Sequence, residues 1–129
     1  MKRILVVEDD RDLSMLLRLI MKLQQPDWEL NSATTGTEAL TQIEISQPDL
    51  ILLDIMLPGM NGIEVCSRIQ AEARWSQIKI IVLSALSDLV TQREALAAGA
   101  LEYWTKPITP EELFDGIQRV LGSTLPDIP

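Results

Sequence analysis

At 129 residues the chain is long enough to bury a core as one domain without cross-links. Its 47% hydrophobic and 23% charged content is ordinary for a globular protein, and one cysteine excludes an internal disulfide framework or a multi-cysteine metal site. Eleven basic against 19 acidic residues give a net charge of −8, which argues against direct binding to nucleic acid. With no histidine, His-based triads, histidine metal sites and an internal phosphohistidine are removed, so phosphoryl chemistry must use carboxylates, Lys or a metal. No apolar run approaches the ~20 residues of a membrane-spanning helix. Met1-Lys2-Arg3 leaves no room for a signal peptide, so a natural N-terminus and a cytoplasmic location are expected.

Arg3 to Val7, rich in β-branched residues, predicts a first buried strand that runs into the acids Glu8, Asp9 and Asp10. Leu13, Leu16, Leu17 and Ile20 recur at helical spacing and predict a helix from about Arg11 to Leu23, ended by Pro26. Glu29 to Ala33 is a weaker second strand. Thr35-Gly36-Thr37 opens a second helix with Ala39, Leu40 and Ile43 inward, stopped before Pro48. Leu50 to Leu53 is too short for a typical helix and too uniformly apolar for a half-exposed strand, so it reads as a strand covered on both faces. Asp54 ends it, and Pro58, Gly59, Asn61 and Gly62 mark a loop. A third helix is expected from about Gly62 to Glu72 with Ile63, Cys66 and Ile69 inward, and Cys66 reads as a buried structural thiol. Ile78 to Leu83 forms a fourth strand ending in Ser84-Ala85. Ser87 is expected to cap a helix reaching Ala98, followed by Gly99. Leu101 to Trp104 gives a short fifth strand before Thr105-Lys106-Pro107. Thr109, Pro110 and Glu112 then supply an N-cap, a proline at the first helical position and a capping-box acid. The last helix turns Leu113, Ile117, Val120 and Leu121 inward and closes at Gly122.

Five alternations of strand and helix predict an α/β fold, a five-stranded parallel sheet with helices on both faces. The domain is expected over 1–122, with 123–129 a C-terminal tail or the start of a linker. In such sheets ligands collect at the carboxyl ends of the strands. Glu8 and Asp9 follow the first strand, Asp54 the third, Ser84 the fourth and Lys106 the fifth. Asp54 at that edge is a candidate nucleophile; a helix cap or a solvated loop acid is the competing reading. Three crowded carboxylates repel, and Mg²⁺, which takes a few carboxylates with water and phosphate oxygens, resolves the conflict. Lys106 adds a second positive charge, and a cation facing an ammonium suits a transferring phosphoryl group. An ion-pair network holding the loops is the structural alternative; it explains Lys106 with one acid and leaves two carboxylates uncompensated.

The runs Ile4-Leu5-Val6-Val7-Glu8-Asp9-Asp10, Leu53-Asp54-Ile55-Met56-Leu57-Pro58-Gly59-Met60-Asn61-Gly62, Leu83-Ser84-Ala85, and Gly99-Ala100 through Tyr103 to Lys106-Pro107 carry a resemblance. In this order and at these spacings they resemble the receiver domain of the two-component response-regulator family, over essentially all of Lys2 to Leu121. The resemblance implies a doubly wound, flavodoxin-like sheet of order 2-1-3-4-5 with five helices and the site at its topological switch point. It implies that Asp54 is the phosphoacceptor and Asp9 a direct Mg²⁺ ligand, with Glu8 binding mainly through water and the Met56 backbone carbonyl as a further ligand. Ser84 would hydrogen-bond a phosphoryl oxygen, the Ala85 amide would assist, and Lys106 would pair with the phosphoryl group. The Lys106-Pro107 peptide is expected to be cis and Asp10 to cap a helix. It further implies that on phosphorylation Ser84 and Lys106 would be drawn toward the phosphoryl group and Tyr103 would turn inward, altering the face of the fourth helix, fifth strand and fifth helix. Ser84 stands where Thr is also frequent, Ile108 replaces the usual Phe, and Trp104, in place of a smaller aliphatic residue, reads as a core filler. Arg119 is the only basic residue of the last helix, so the charge pattern of receivers attached to winged-helix output domains is not evident.

The implied function is phosphoacceptor signalling rather than enzymatic turnover. A sensor histidine kinase or a histidine phosphotransfer protein is the expected donor; self-phosphorylation and slow autodephosphorylation are the only reactions expected of the domain itself. With no histidine in the chain, the donor acts in trans or is a small molecule such as acetyl phosphate. Further partners expected are an output domain or downstream protein and, on phosphorylation, a second copy in a homodimer; neither nucleic acid nor membrane is bound directly. Two rivals have marks of their own. A hydrolase of the haloacid-dehalogenase type wants a second Asp two residues after the nucleophile, where Met56 stands. A degenerate receiver that signals without phosphate has lost an acid or the Lys, and none is lost here.

Overall fold

Short runs of Leu, Ile and Val make five strands, β1 (Arg3–Val7), β2 (Glu29–Ala33), β3 (Leu50–Leu53), β4 (Lys79–Ser84) and β5 (Glu102–Thr105). Between and after them lie α1 (Arg11–Gln24), α2 (Gly36–Ile45), α3 (Gly62–Gln70), α4 (Leu89–Ala97) and α5 (Pro110–Leu121). The structure, a computed structural model, describes residues 2–122; the expected tail over 123–129 lies outside them. All strands are parallel, in the order β2-β1-β3-β4-β5, so the chain has the doubly wound, flavodoxin-like fold.

Alternate strand residues feed two cores. Leu5, Val7, Ile51, Leu53, Ile80 and Val82 face one way, toward Ala39 and Ile43 of α2, Val65, Cys66 and Ile69 of α3 and Ala95 of α4. Ile4, Val6, Leu50, Leu52, Ile81 and Leu83 face the other, against Leu17 and Met21 of α1 and Leu113, Phe114 and Ile117 of α5. Every residue of β3 is buried, as a central strand covered on both sides requires. Each such Leu or Ile contributes roughly 1.5–3 kcal/mol by leaving water.

Side-chain oxygens close the helix starts. Asp10 accepts from the amides of Asp12 and Leu13 at α1, and Thr109 with Glu112 forms the expected capping box at α5. The cap of α4 is Asp88 rather than Ser87: its carboxylate accepts from Thr91 N, and as an anion it is the better partner for a helix N-terminus. In α1, Leu16 is solvent-exposed, while Ser14, Leu17 and Met21 form the inner line and Leu13 and Ile20 are half-buried. α3 stops at Gln70, and a 3-10 turn over Ala73–Trp75 follows, burying Trp75; Val65 takes the inner position given to Ile63. β4 and β5 each start and end one residue later than the apolar runs suggest.

β2 is an edge strand. The amide of Glu29 donates to Lys2 O and the carbonyl of Ala33 accepts from Glu8 N, so the carbonyls of Leu30 and Ser32 point away from β1. Both are taken up by side chains: Arg18 Nη1 donates to Leu30 O at 2.7 Å and Gln42 Nε2 to Ser32 O at 2.8 Å.

Candidate functional site

The register of β1 and β3 sets the centre of the site. Val7 lies beside Leu53, so the next residues, Glu8 and Asp54, emerge side by side at the carboxyl end of the sheet. Their backbones are held by Glu8 N to Ala33 O and Asp54 N to Val7 O, both at 3.0 Å. Both carboxylic acids are buried, whereas Asp9 is exposed. Glu8, Asp9 and Asp54 each offer a carboxylate oxygen within 4.8 Å of the others. An all-oxygen, multiply anionic donor set of this kind fits a hard divalent cation.

Lys106 reaches this cluster from the end of β5. Its amide donates to Ser84 O at 2.8 Å, and the Lys106-Pro107 peptide that follows is cis. The ammonium Nζ donates to Glu8 Oε1 and Oε2 at 2.9 and 3.1 Å and to Asp54 Oδ2 at 3.1 Å. One cation therefore serves two buried acids. Burial, reinforced by the charge of Asp54, pushes Glu8 up to about 7 despite the hydrogen bond from Lys106. Burial pulls the Lys106 ammonium down, but its hydrogen bonds and charge contacts with Glu8 and Asp54 prevail and leave it above its ordinary value.

The remaining oxygen of Asp54, Oδ1, accepts from the amide of Met56 at 3.1 Å. The loop then folds back so that Gly62 N donates to Ile55 O. A side chain at position 62 has no space, because a Cβ there would sit 2.1 Å from the Asp54 carbonyl oxygen. The motif marks Gly62 as the start of a helix; this approach to the backbone of Asp54 is a tertiary contact that no spacing announces.

On the far side of the site Ser84 is fully buried, and its Oγ accepts from Leu86 N at 3.1 Å. The carbonyl of the same Leu86 accepts from the Tyr103 hydroxyl. Ser84 and Tyr103 are thus tied to one residue of the loop between β4 and α4, while Ala85 between them is exposed. Leu86 joins them by backbone atoms alone, which leaves no trace in residue type. Beside β5, Trp104 rests on Gly116 of α5, where a Cβ would lie 2.6 Å from its ring. Glu102 accepts from Trp104 Nε1 and from both Nη atoms of Arg119, and Arg119 and then Trp104 hold its carboxyl down to about 2.

Fold and site together define a class, a doubly wound α/β domain with an acidic pocket and one lysine at the carboxyl end of its sheet. The chain belongs to the response regulator receiver domain family, whose profile matches residues 4–118. It is a receiver of two-component signalling. Over 112 residues it is 42% identical to the DNA-binding response regulator MtrA of Mycolicibacterium paratuberculosis, covering 87% of this chain and 48% of that protein. It is 35% identical over 126 residues to the phosphate regulon transcriptional regulatory protein PhoB of Rhizobium meliloti, covering 98% of this chain and 55% of that protein. The solved CheY-like response regulator receiver domain protein of Methanospirillum hungatei matches with a TM-score of 0.83 at 32% identity, covering 95% of this chain and 94% of that one. The chain spans about half the length of the curated relatives it matches. Among the described residues no helix is long and apolar enough to cross a membrane.

Proposed function

We propose that Asp54 accepts a phosphoryl group from the phosphohistidine of a sensor histidine kinase or a histidine phosphotransfer protein. The observation that carries this reading is the Lys106 ammonium bridging two buried acids, with Asp9 beside them. A structural ion pair needs one carboxylate; a site for a transferring phosphoryl group needs an acceptor, a charge clamp and cation ligands. An oxygen of Asp54 attacks phosphorus, the P–N bond of the donor breaks, and its electron pair leaves on the imidazole nitrogen. Glu8, Asp9, Asp54 and the Met56 carbonyl would hold Mg²⁺. Bound there, the cation neutralises charge on the phosphoryl oxygens.

Lys106 then exchanges carboxylate partners for phosphoryl oxygens, a charge-assisted contact. The Ser84 hydroxyl donates to the phosphoryl group with help from the Ala85 amide, giving up its contact with Leu86 N. That frees the Leu86 residue that Tyr103 holds, and Tyr103 turns inward. The face of α4, β5 and α5 changes for an output domain, a downstream protein or a second copy in a homodimer. The names of MtrA and PhoB favour transcription as the output, exerted from the cytoplasm by a segment other than this receiver. Residues 1–122 are the receiver unit in this reading, and autodephosphorylation is slow. The test is incubation with acetyl phosphate and Mg²⁺ followed by intact-protein mass spectrometry. Wild type should gain one phosphoryl group and Asp54→Asn none; an adduct of undiminished yield in Asp54→Asn overturns the assignment.

A further inference from the structure

Reactive sulfur in this protein is distributed unevenly. The single thiol, Cys66, is completely buried, donates to Ala98 O, and is pushed up to about 11 by burial, so it offers no thiolate to an oxidant. The thioethers of Met21 and Met60 are shielded, Met21 buried and Met60 packed against the core. Among the described residues Met15 and Met56 are the exposed ones, at 58% and 62%. Met56 differs from Met15 in its anchorage. Its amide is bonded to Asp54 Oδ1, which fixes the residue at the mouth of the acidic pocket while its side chain stands in solvent.

We propose that Met56 is a modification site, oxidised to the sulfoxide by hydroperoxides, and that the sulfoxide shortens the life of a phosphoryl group on Asp54. The lifetime half of the proposal rests on the acceptor role given to Asp54 above. In the reaction a sulfur lone pair attacks the terminal peroxide oxygen and an S–O bond forms as the O–O bond breaks. Sulfur loses two electrons, and the peroxide, taking up the proton, is reduced to water or an alcohol. A thioether is a weak acceptor and an apolar neighbour. A sulfoxide carries a strongly polar oxygen in nearly the same volume and is reversed by methionine sulfoxide reductases. Placed beside an acyl phosphate, that oxygen accepts a hydrogen bond from water and holds it near phosphorus, the positioning that speeds attack. Oxidised receivers would therefore be emptied sooner, and peroxide would act as a reset that leaves the fold intact.

The test uses the whole chain carrying Met15→Leu, so that Met56 is the exposed thioether among the described residues. Hydrogen peroxide should add one oxygen at Met56, located by peptide mass spectrometry on protein never phosphorylated. Oxidised and untreated samples are then loaded with acetyl phosphate and Mg²⁺, stripped of donor, and followed by intact mass. The oxidised sample should lose its adduct roughly five- to tenfold faster, below the ~10²-fold floor for a fully positioned general base. Reductase treatment should restore the slow rate, Met56→Gln should be fast without peroxide, and the lifetime in Met56→Leu, whatever its basal value, should not respond to peroxide. An unmodified Met56, or a sulfoxide with unchanged lifetime, overturns this proposal alone. Failure of the untreated protein to form any adduct overturns the acceptor assignment, and the lifetime claim falls with it.

Discussion

Glu8 is the acid of the site whose protonation the fold displaces. Its carboxyl titrates near 7 in the folded chain and near 4.5 when exposed, because it is buried beside Asp54. Between those values the native state holds a proton that the unfolded state has released. Stability from this group is therefore full below about 4.5 and falls as pH rises through 7. With chelator present, urea midpoints of wild type should drop relative to Glu8→Gln over that window; parallel curves would show that Glu8 is not strained. Lys106→Ala should cost about 2 kcal/mol at pH 8, less than the 3–5 typical of a broken buried pair because its side chain is 26% exposed. The same denaturation series checks it, and added Mg²⁺ should recover part of the loss.

At the scale of elements, the loop from β3 to α3 leaves little freedom. Gly62→Ala drives a methyl into the Asp54 carbonyl, so we expect a loss of about 3 kcal/mol, at the upper end for overpacking. The adduct yield at Asp54 should fall with it, read by the same mass measurement. α4 is the opposite case. Ala95 is its one buried residue, and Leu89, Val90 and Leu96 face solvent. Its amides should exchange with deuterium faster than those of α5, which buries Leu113, Phe114, Ile117 and Leu121; equal protection would contradict that weak attachment. The lack of a one-sided apolar stripe in α4 is visible in the sequence, yet spacing alone treats it as one more crossover helix. Its cap is ambiguous in the sequence because Ser87 and Asp88 are adjacent capping residues, and the anionic one takes the position.

At the scale of the molecule, alternating apolar runs, helical spacings and cap signals together suffice to place all five strands and five helices of an α/β fold. The positions of Glu8, Asp54, Ser84 and Lys106 at strand ends are equally legible, since the first three follow an apolar run directly and Lys106 follows Trp104 by two residues. What the sequence withholds are contacts between distant segments: the ammonium shared by Glu8 and Asp54, and the Leu86 backbone between Ser84 and Tyr103. Residue type at one position carries no record of such partners. The covered carbonyls of β2 belong to the same group, and they bear on the behaviour of many molecules at once. An open strand edge is a template on which a neighbouring chain can grow a continuous intermolecular sheet. Arg18 and Gln42, one from each helical layer, occupy the two acceptors that such growth would use first. Removing both, as Arg18→Ala with Gln42→Ala, should change the stability of the monomer little, about 1 kcal/mol per bond. It should instead quicken aggregation near the melting temperature, followed by light scattering and thioflavin fluorescence; an unchanged rate would mean that twist and charge alone keep the chains apart.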